Sequence, residues 1–231
     1  MELPPDGGAS VTRTRASRAA GVAVTCTAAC LVVLALLGAG VRSEFGPQLE
    51  LDAAASEALY AGDRRAGLLN GLLEVLTAPG AWWARIVVFL PVLVWLLRRR
   101  LWWTAGWVVT ATVLVGPLTL ALKEYFGRIR PDFEEGGARY ESLSYPSGHA
   151  SGIATLVAVA LVLAWPLLSS RARRWALLAG VALVLVVGLT RMWLGVHYLS
   201  DVVGGWAFGL AWTLGTAVLF GALSGGRAAL R

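Results

Sequence analysis

Six long apolar stretches, separated by shorter polar segments, dominate the chain. They cover residues 19–41, 81–97, 101–122, 148–168, 175–195 and 201–223. A helix that crosses the hydrocarbon core of a bilayer needs about 20 mainly apolar residues. The second stretch is short and contains Pro91, so we expect a kinked helix whose start can precede residue 81. Arg85 lies near one end of this stretch, where we expect its long side chain to extend to the membrane interface. The pattern predicts an all-α fold, a bundle of six transmembrane helices within residues 19–223.

The polar segments outside these stretches are of two kinds. Residues 1–18 combine prolines, glycines and arginines, which predicts a disordered basic tail, and residues 224–231 form a second short tail. Between the first two stretches, residues 48–77 mix leucines with acidic residues, which predicts one or two amphipathic helices on the membrane surface. Such helices either cap the ends of the spanning helices or form a lid or lipid access surface, and both interpretations stay open here.

Arginine clusters predict how the bundle is oriented in the membrane. They precede the first stretch, separate the second from the third and the fourth from the fifth, and follow the sixth: Arg13, Arg15, Arg18; Arg98, Arg99, Arg100; Arg171, Arg173, Arg174; Arg227, Arg231. If every stretch crosses once, all four groups lie on one side, which the positive-inside rule makes cytoplasmic. We therefore expect a multi-pass plasma membrane protein with both termini cytoplasmic and residues 42–80, 123–147 and 196–200 outside.

Composition agrees with a membrane protein. Hydrophobic residues make up 57% of the chain and charged residues 15%, against about 45–50% and about 25% in soluble domains. The net charge of +6 does not indicate a nucleic-acid partner, because the arginines lie in short clusters between apolar stretches, where positive charges set the orientation of a membrane protein.

The cysteines, Cys26 and Cys30, are too few for a disulfide framework or a zinc site, so we expect them to pack against the bilayer. The first stretch is longer than the apolar core of a signal peptide, which has about 7–15 residues, so we expect an uncleaved transmembrane helix.

Two histidines stand out as candidate reactive groups. His149 and His197 are the only histidines in the chain, and both fall at predicted outer ends of spanning helices. His197 and Asp201 are four residues apart, so on a helix the carboxylate can bond one ring nitrogen. That bond would fix the tautomer and leave the other nitrogen free to attack. His149 follows Pro146-Ser147-Gly148, a turn whose hydroxyl and free N–H groups at a helix start suit an anion.

Basic residues accompany both histidines. Lys123 and Arg130 are seven residues apart and share a face if the helix continues, although Gly127 and Pro131 indicate that it ends here. Arg191 follows Thr190 shortly before His197. The planar fork of arginine matches the oxygens of a phosphate. Phosphoryl transfer needs charge neutralisation, an in-line nucleophile and an acid, all of which these residues provide. No group of Asp, Glu, His and Cys has metal-ligand spacing, so we expect neither a metal nor another cofactor.

At these residues the chain resembles the superfamily of the type 2 phosphatidic acid phosphatases (PAP2). The signature of that family is Lys-x6-Arg-Pro, then Pro-Ser-Gly-His, then Ser-Arg-x5-His-x3-Asp. The chain carries the first two motifs in full at residues 123–131 and 146–149. It carries the third at residues 190–201, with Thr190 in place of the serine, which keeps the hydroxyl group.

The resemblance implies a six-helix membrane phosphatase with its site at the outer membrane surface. In the family pattern His197 attacks phosphorus and becomes phosphohistidine, and Asp201 orients it. His149 then protonates the leaving oxygen and activates the hydrolytic water. The phosphate-binding groups that the pattern implies are Lys123, Arg130, Arg191, Ser147 and the backbone of Gly148. Arg128 lies outside the motif and is a possible substrate contact.

Other functions compete with this interpretation. A lipid phosphotransferase would use the same phosphohistidine and pass the group to an alcohol. A vanadate-dependent haloperoxidase has a similar anion site but is soluble, and intact polar motifs disfavour a non-enzymatic scaffold. For a phosphatase, the candidate substrates are undecaprenyl pyrophosphate, phosphatidic acid and phosphatidylglycerol phosphate, with a polyprenyl pyrophosphate preferred. The expected partners are this lipid and the bilayer. Gly205 and Gly209 fit helix packing within the bundle as well as dimerisation, so the oligomeric state stays open.

Overall fold

The computed structural model describes residues 7–62, 67–133 and 142–230 and is all-helical apart from short connections. Its eight α-helices are α1 (Gly7–Arg42), α2 (Gly46–Leu59), α3 (Gly67–Thr77), α4 (Trp82–Arg98), α5 (Trp102–Phe126), α6 (Gly148–Ala164), α7 (Ser170–Trp193) and α8 (Leu199–Phe220). Short 3₁₀ turns follow α3 at Ala78–Gly80 and α6 at Trp165–Leu167. The predicted all-α class is confirmed.

Most of these helices are long enough to cross a membrane. By length and hydropathy, Ser17–Arg42 of α1, α5, α6 with its 3₁₀ turn, α7 and α8 each qualify as a span. The segments Gly67–Gly80 and Trp82–Arg98 qualify together and meet at a bend of 49°, so counting them as one gives six spans. This sixth span bends at the break after Gly80, whereas α4 runs continuously through Pro91, where we expected the kink.

The two predicted tails are structured where the chain is described. Helix α1 begins at Gly7, so it extends into the segment 1–18 for which we expect a disordered tail, while residues 1–6 lie outside the described part. Arginine and alanine are good helix formers, and a helix propagates readily from the long span that follows. At the other end, the Thr104 hydroxyl donates to Ala228 O at 2.7 Å, and the Arg227 guanidinium lies 3.7 Å from the Trp103 ring centroid. The C-terminal segment is therefore attached to the start of α5.

Helix α8 lies at the centre of the bundle, in close contact with α1 and α6. Its glycines allow this approach. A Cβ atom on Gly205 would lie 2.6 Å from Ser147 O, and one on Gly209 would lie 2.4 Å from Ser151 O. Small residues let helix backbones approach closely in membrane proteins. Gly205 and Gly209 are thus used for packing inside the bundle.

The segment between the first two predicted apolar stretches forms two helices, α2 and α3, of which α3 is also the first part of the bent sixth span. They lie against α7 and α8 at the end of the bundle where α5 and α7 end and α6 and α8 begin. Leu73 of α3 is buried in a cluster with Leu194 and Val196, which follow α7. Both histidines lie at this end, and the arginines between α4 and α5 lie at the opposite one. The side of the membrane to which each end belongs stays a prediction.

Candidate active site

One cavity brings most of the predicted site residues together. Its volume is about 550 Å³, and it lies between the end of α3, the start of α4, and helices α5, α6 and α7. Six predicted residues line it: Lys123, Arg130, Gly148, His149, Arg191 and His197. Ser147 and Asp201 are buried beside the cavity and do not belong to its lining.

His197 precedes α8 and is held at both ring nitrogens. Its Nδ1 lies 3.3 Å from Asp201 Oδ2, and its Nε2 lies 3.1 Å from Arg130 Nη1. A carboxylate only accepts and a guanidinium only donates. These contacts assign the proton to Nδ1 and the lone pair to Nε2. Nε2 is therefore the nitrogen that faces the cations of the cavity.

Burial and charge keep this imidazole neutral. The pKa of His197 is lowered to about 3, mainly by burial and also by the charges of Arg130 and Arg191, although the bond to Asp201 acts in the opposite direction. The structure thus holds the ring in the form that has a lone pair available for attack.

The capping geometry of α8 fixes the position of Asp201. Its Oδ2 accepts from the Tyr198 backbone N–H at 2.9 Å, so Asp201 caps the first turn of its own helix. Arg128 Nη1 donates to the other oxygen, Oδ1, at 2.9 Å. The Ser144 hydroxyl also donates to Oδ2 and lies 3.3 Å from His197 Nδ1. Both carboxylate oxygens are occupied, which leaves the side chain little freedom to turn.

Ser144 is absent from the three motifs, and Arg128 lies outside them. Arg128 does not line the cavity. It lies behind Asp201, where its Nη2 donates to Asp52 Oδ2 at 2.7 Å and its guanidinium packs 4.0 Å from the Tyr198 ring centroid. The suggested substrate contact is therefore replaced by a buried contact with two carboxylates. The only sequence signal for Ser144 is a hydroxyl two residues before Pro146.

The three cations of the motifs reach the cavity from separate segments. Helix α5 ends at Phe126, and Gly127 has a φ of 68°, so Lys123 and Arg130 do not share a helix face. Lys123 is buried and its Nζ donates to Leu143 O and, at 3.1 Å, to Ser144 O. Arg130 donates from Nε to Ser142 O and from Nη1 to Val196 O, each at 2.7 Å. Main-chain carbonyls thus position both side chains before any anion binds.

Arg191 and Thr190 come from the last turn of α7. Arg191 is buried, and its Nη1 lies 3.4 Å from the hydroxyl of Thr77 at the end of α3. The Thr190 hydroxyl donates to Val187 O at 2.7 Å, within its own helix. The threonine that replaces the usual serine therefore uses its hydroxyl inside α7, away from the cavity.

The start of α6 presents His149 and backbone donors. Ser147 caps this helix, because its hydroxyl accepts from Ala150 N at 3.5 Å. The N–H groups of the first turn, in Gly148 and His149, have no acceptor within the helix, and such groups bind anions. Contact between the Ser147 hydroxyl and a phosphate stays a prediction, since that hydroxyl is engaged in the cap.

Arg85 is a further cation of the cavity and lies outside the three motifs. We expected its side chain to extend to the membrane interface, but it is 6% exposed and lines the cavity. Its Nε donates to Thr112 O at 3.2 Å, which turns the guanidinium inward between α4 and α5.

An apolar groove continues from the charged cavity. It lies between α4 and α5, has a volume of about 350 Å³, and is lined mainly by aliphatic side chains and Phe89. Trp82, Arg85, Gly116 and Pro117 line both spaces. The cavity could therefore bind the anionic head of an amphiphilic molecule, and the groove could bind its hydrocarbon tail.

Comparison with known proteins supports this description. A sequence model of the PAP2 superfamily matches residues 101–224. Phosphatidylglycerophosphatase B of Bacillus subtilis is 42% identical over 96 residues, which are 40% of this chain and 46% of that protein. Lipid A 1-phosphatase of Rhizobium etli is 35% identical over 129 residues, 51% of each chain. The matched regions span about half the length of these relatives.

A crystal structure gives the same fold. The transmembrane PAP2 type phosphatidylglycerolphosphate phosphatase of Bacillus subtilis superposes with a TM-score of 0.62 at 26% identity. The superposition covers 82% of this chain and 93% of that one.

Proposed function

Because the chain belongs to the PAP2 superfamily, we propose that it removes a phosphate group from a membrane lipid, either a phosphomonoester or a pyrophosphate. The observation that carries the proposal is the pairing of His197 with Asp201 at the wall of a cavity lined by cations. This cavity continues into an apolar groove between two spanning helices. A soluble phosphate ester would need no such groove, so the combination favours a lipid substrate.

In the proposed first step, His197 Nε2 attacks phosphorus. The Nε2–P bond forms, the P–O bond to the lipid breaks, and its electron pair stays on the leaving oxygen. Lys123, Arg130 and Arg191 neutralise the charge on the phosphoryl oxygens. Arg130 Nη1 donates to Nε2 at 3.1 Å in the structure, so this N–H must pass to a phosphoryl oxygen before Nε2 can attack.

Proton transfer completes the cycle. His149 takes up a proton as the anionic phosphate enters the cationic cavity, then donates this proton to the leaving oxygen and becomes neutral. It then takes a proton from a water molecule, whose oxygen attacks phosphorus and displaces His197 as the P–N bond breaks. Asp201 stays ionised throughout and stabilises the positive ring that forms at His197. The products are inorganic phosphate and the lipid with one phosphate group fewer.

A phosphate-release screen tests the proposal. The purified protein in detergent, with a chelator present, would be given phosphatidic acid, phosphatidylglycerol phosphate, and polyprenyl monophosphate and diphosphate. We expect free phosphate from at least one lipid and none from the His197→Ala variant. Consumption of a lipid that yields no free phosphate, with transfer to an added alcohol, would show a phosphotransferase instead. No consumption of any lipid phosphate would refute the proposal.

A further inference from the structure

Arg85 is a buried cation that lacks the partners such a group normally has. Its side chain is 6% exposed, and it forms no ion pair with a carboxylate in the described part of the chain. Nε donates to Thr112 O, but the buried Nη1 meets no acceptor among the residues described. A buried charge is costly unless it is paired, and an ionisable group inside a membrane protein commonly marks a ligand site.

The neighbouring helix leaves room for this guanidinium. A Cβ atom on Gly152 would lie 2.3 Å from Arg85 Nη1 and 2.4 Å from Gly80 O. Any larger residue at position 152 would therefore displace the guanidinium or the turn before α4. Gly152 lies three residues after His149, about one helical turn further into α6. Arg85 is thus held next to the turn of α6 that follows the proposed general acid.

The position of Arg85 relates it to the lipid side of the scissile bond. The transferred phosphorus must lie close to His197 Nε2, which Arg130 contacts. The hydrocarbon tail would lie in the groove between α4 and α5, and Arg85 lines both this groove and the cavity. The group that joins the leaving oxygen to the tail must therefore pass Arg85. In a diphosphate lipid that group is a second phosphate, whereas in phosphatidic acid or a polyprenyl monophosphate it carries no charge.

We propose that Arg85 binds the lipid-side phosphate of a diphosphate substrate and makes the enzyme prefer such lipids over monophosphates. This inference rests on the proposed phosphatase function. When the Nε2–P bond forms and the bridging P–O bond breaks, the electron pair goes to the bridging oxygen. A lipid monophosphate then leaves with an added negative charge, which Arg85 stabilises at short range in a site sheltered from water.

The test compares two lipids that differ in one phosphate. The value of kcat/KM would be measured for a polyprenyl diphosphate and for the monophosphate with the same tail, in wild type, Arg85→Met, Arg85→Lys and Arg98→Met. Loss of a hydrogen bond to a charged group lowers a binding or rate constant by about 10- to 100-fold. We therefore expect a loss of that size for Arg85→Met on the diphosphate and less than about 3-fold on the monophosphate. Arg85→Lys should recover part of the loss, and Arg98→Met, which removes an exposed arginine from the far end of α4, should lose nothing. Equal losses on both lipids, or no loss on either, would overturn the inference.

A binding measurement separates this inference from the proposed function. Thermal unfolding would be followed with methylenediphosphonate, which is not hydrolysed, and with orthophosphate. Wild type should be stabilised more by the diphosphonate, and Arg85→Met should lose that difference while keeping the response to orthophosphate. An unchanged difference in Arg85→Met refutes the role of Arg85 even if no lipid is hydrolysed. If wild type hydrolyses no lipid phosphate at all, the proposed function fails, and the diphosphonate result still decides whether Arg85 binds a second phosphate.

Discussion

Arg128 and Asp52 form a buried ion pair with an Nη2–Oδ2 distance of 2.7 Å. Arg128 also contacts Asp201 Oδ1 at 2.9 Å, so the pair lies directly behind the carboxylate that orients His197. Asp52 accepts from Ser200 N at 2.8 Å as well, which ties α2 to the first turn of α8. The surface helix α2 is thus joined to the proposed nucleophile through Arg128 and Asp201. This contact favours a structural cap for α2 over a mobile lid.

The first prediction concerns this ion pair. Replacing Asp52 with Asn leaves Arg128 with one carboxylate in place of two, so Arg128 and Asp201 should shift together. Displacing a catalytic group by about 1 Å can lower the reaction rate by about 100-fold. We expect kcat for Asp52→Asn to fall by about 10- to 100-fold with KM nearly unchanged, because Asp52 does not line the cavity.

Glu50→Gln is the matched control, since it removes an exposed carboxylate from the same helix. The rate at which the phosphoenzyme forms should fall in Asp52→Asn alone. A rise in KM without a change in kcat would mean that Asp52 affects substrate binding and not the position of the nucleophile.

The second prediction concerns the charge of His197. Because burial lowers its pKa to about 3, the neutral ring should persist throughout the range from pH 8 to pH 5. An ordinary histidine gains its proton near pH 6.5 as the pH falls. The chain has only two histidines, so ¹⁵N-labelled rings give few NMR signals, and His149→Asn identifies those of His197. We expect no titration of the His197 signals in this range, and a midpoint near pH 6.5 would contradict the assignment.

The third prediction separates the roles of the two histidines. His149→Ala removes proton transfer to the leaving oxygen, a loss of about 10²–10⁴-fold for a lipid alkoxide. The loss should shrink for an aryl phosphate with a leaving group of low pKa, which needs no proton. His197→Ala should be inactive on both substrates, because the nucleophile is gone. Equal losses of His149→Ala on both substrates would exclude its role as general acid.

The fourth prediction concerns the side of the membrane on which the site lies. In a variant that lacks Cys26 and Cys30, a cysteine at the exposed Glu57 should react with an impermeant reagent in intact cells. A cysteine at the exposed Arg171 should react only after the cells are broken. Glu135, in the segment before the second motif, would be a further position, but it lies outside the described residues. The reverse pattern of labelling would place the site in the cytoplasm.

The sequence alone predicts the long apolar helices and most of the charged residues that line the cavity, because hydropathy marks the helices and the three motifs contain those residues. Helix α1 begins before the apolar stretch, because a helix can extend from apolar residues into a neighbouring polar segment. The sequence predicts one or two amphipathic helices over residues 48–77, but it does not distinguish Asp52 from the other acidic residues of that segment.

The missed contacts share one physical cause. Asp52 and Arg128 are 76 positions apart in sequence, and their pairing depends on how α2 docks on α8. Arg85 was expected at the interface because a long cation near a helix end commonly extends there. Its inward direction depends on the rotation of α4 and on the space at Gly152, neither of which a single sequence encodes in a readable pattern.

Direct trapping of the phosphoenzyme tests the central claim, that His197 is the nucleophile. Protein purified without a histidine tag would react briefly with a lipid labelled at its terminal phosphate. The reaction would be quenched without acid, because acid hydrolyses phosphohistidine. We expect label on His197 in wild type, more label in His149→Ala because hydrolysis of the intermediate is slowed, and less in Asp201→Asn because attack is impaired. His197→Ala should trap none. Label in His197→Ala, or label that maps to His149 in wild type, would contradict the account.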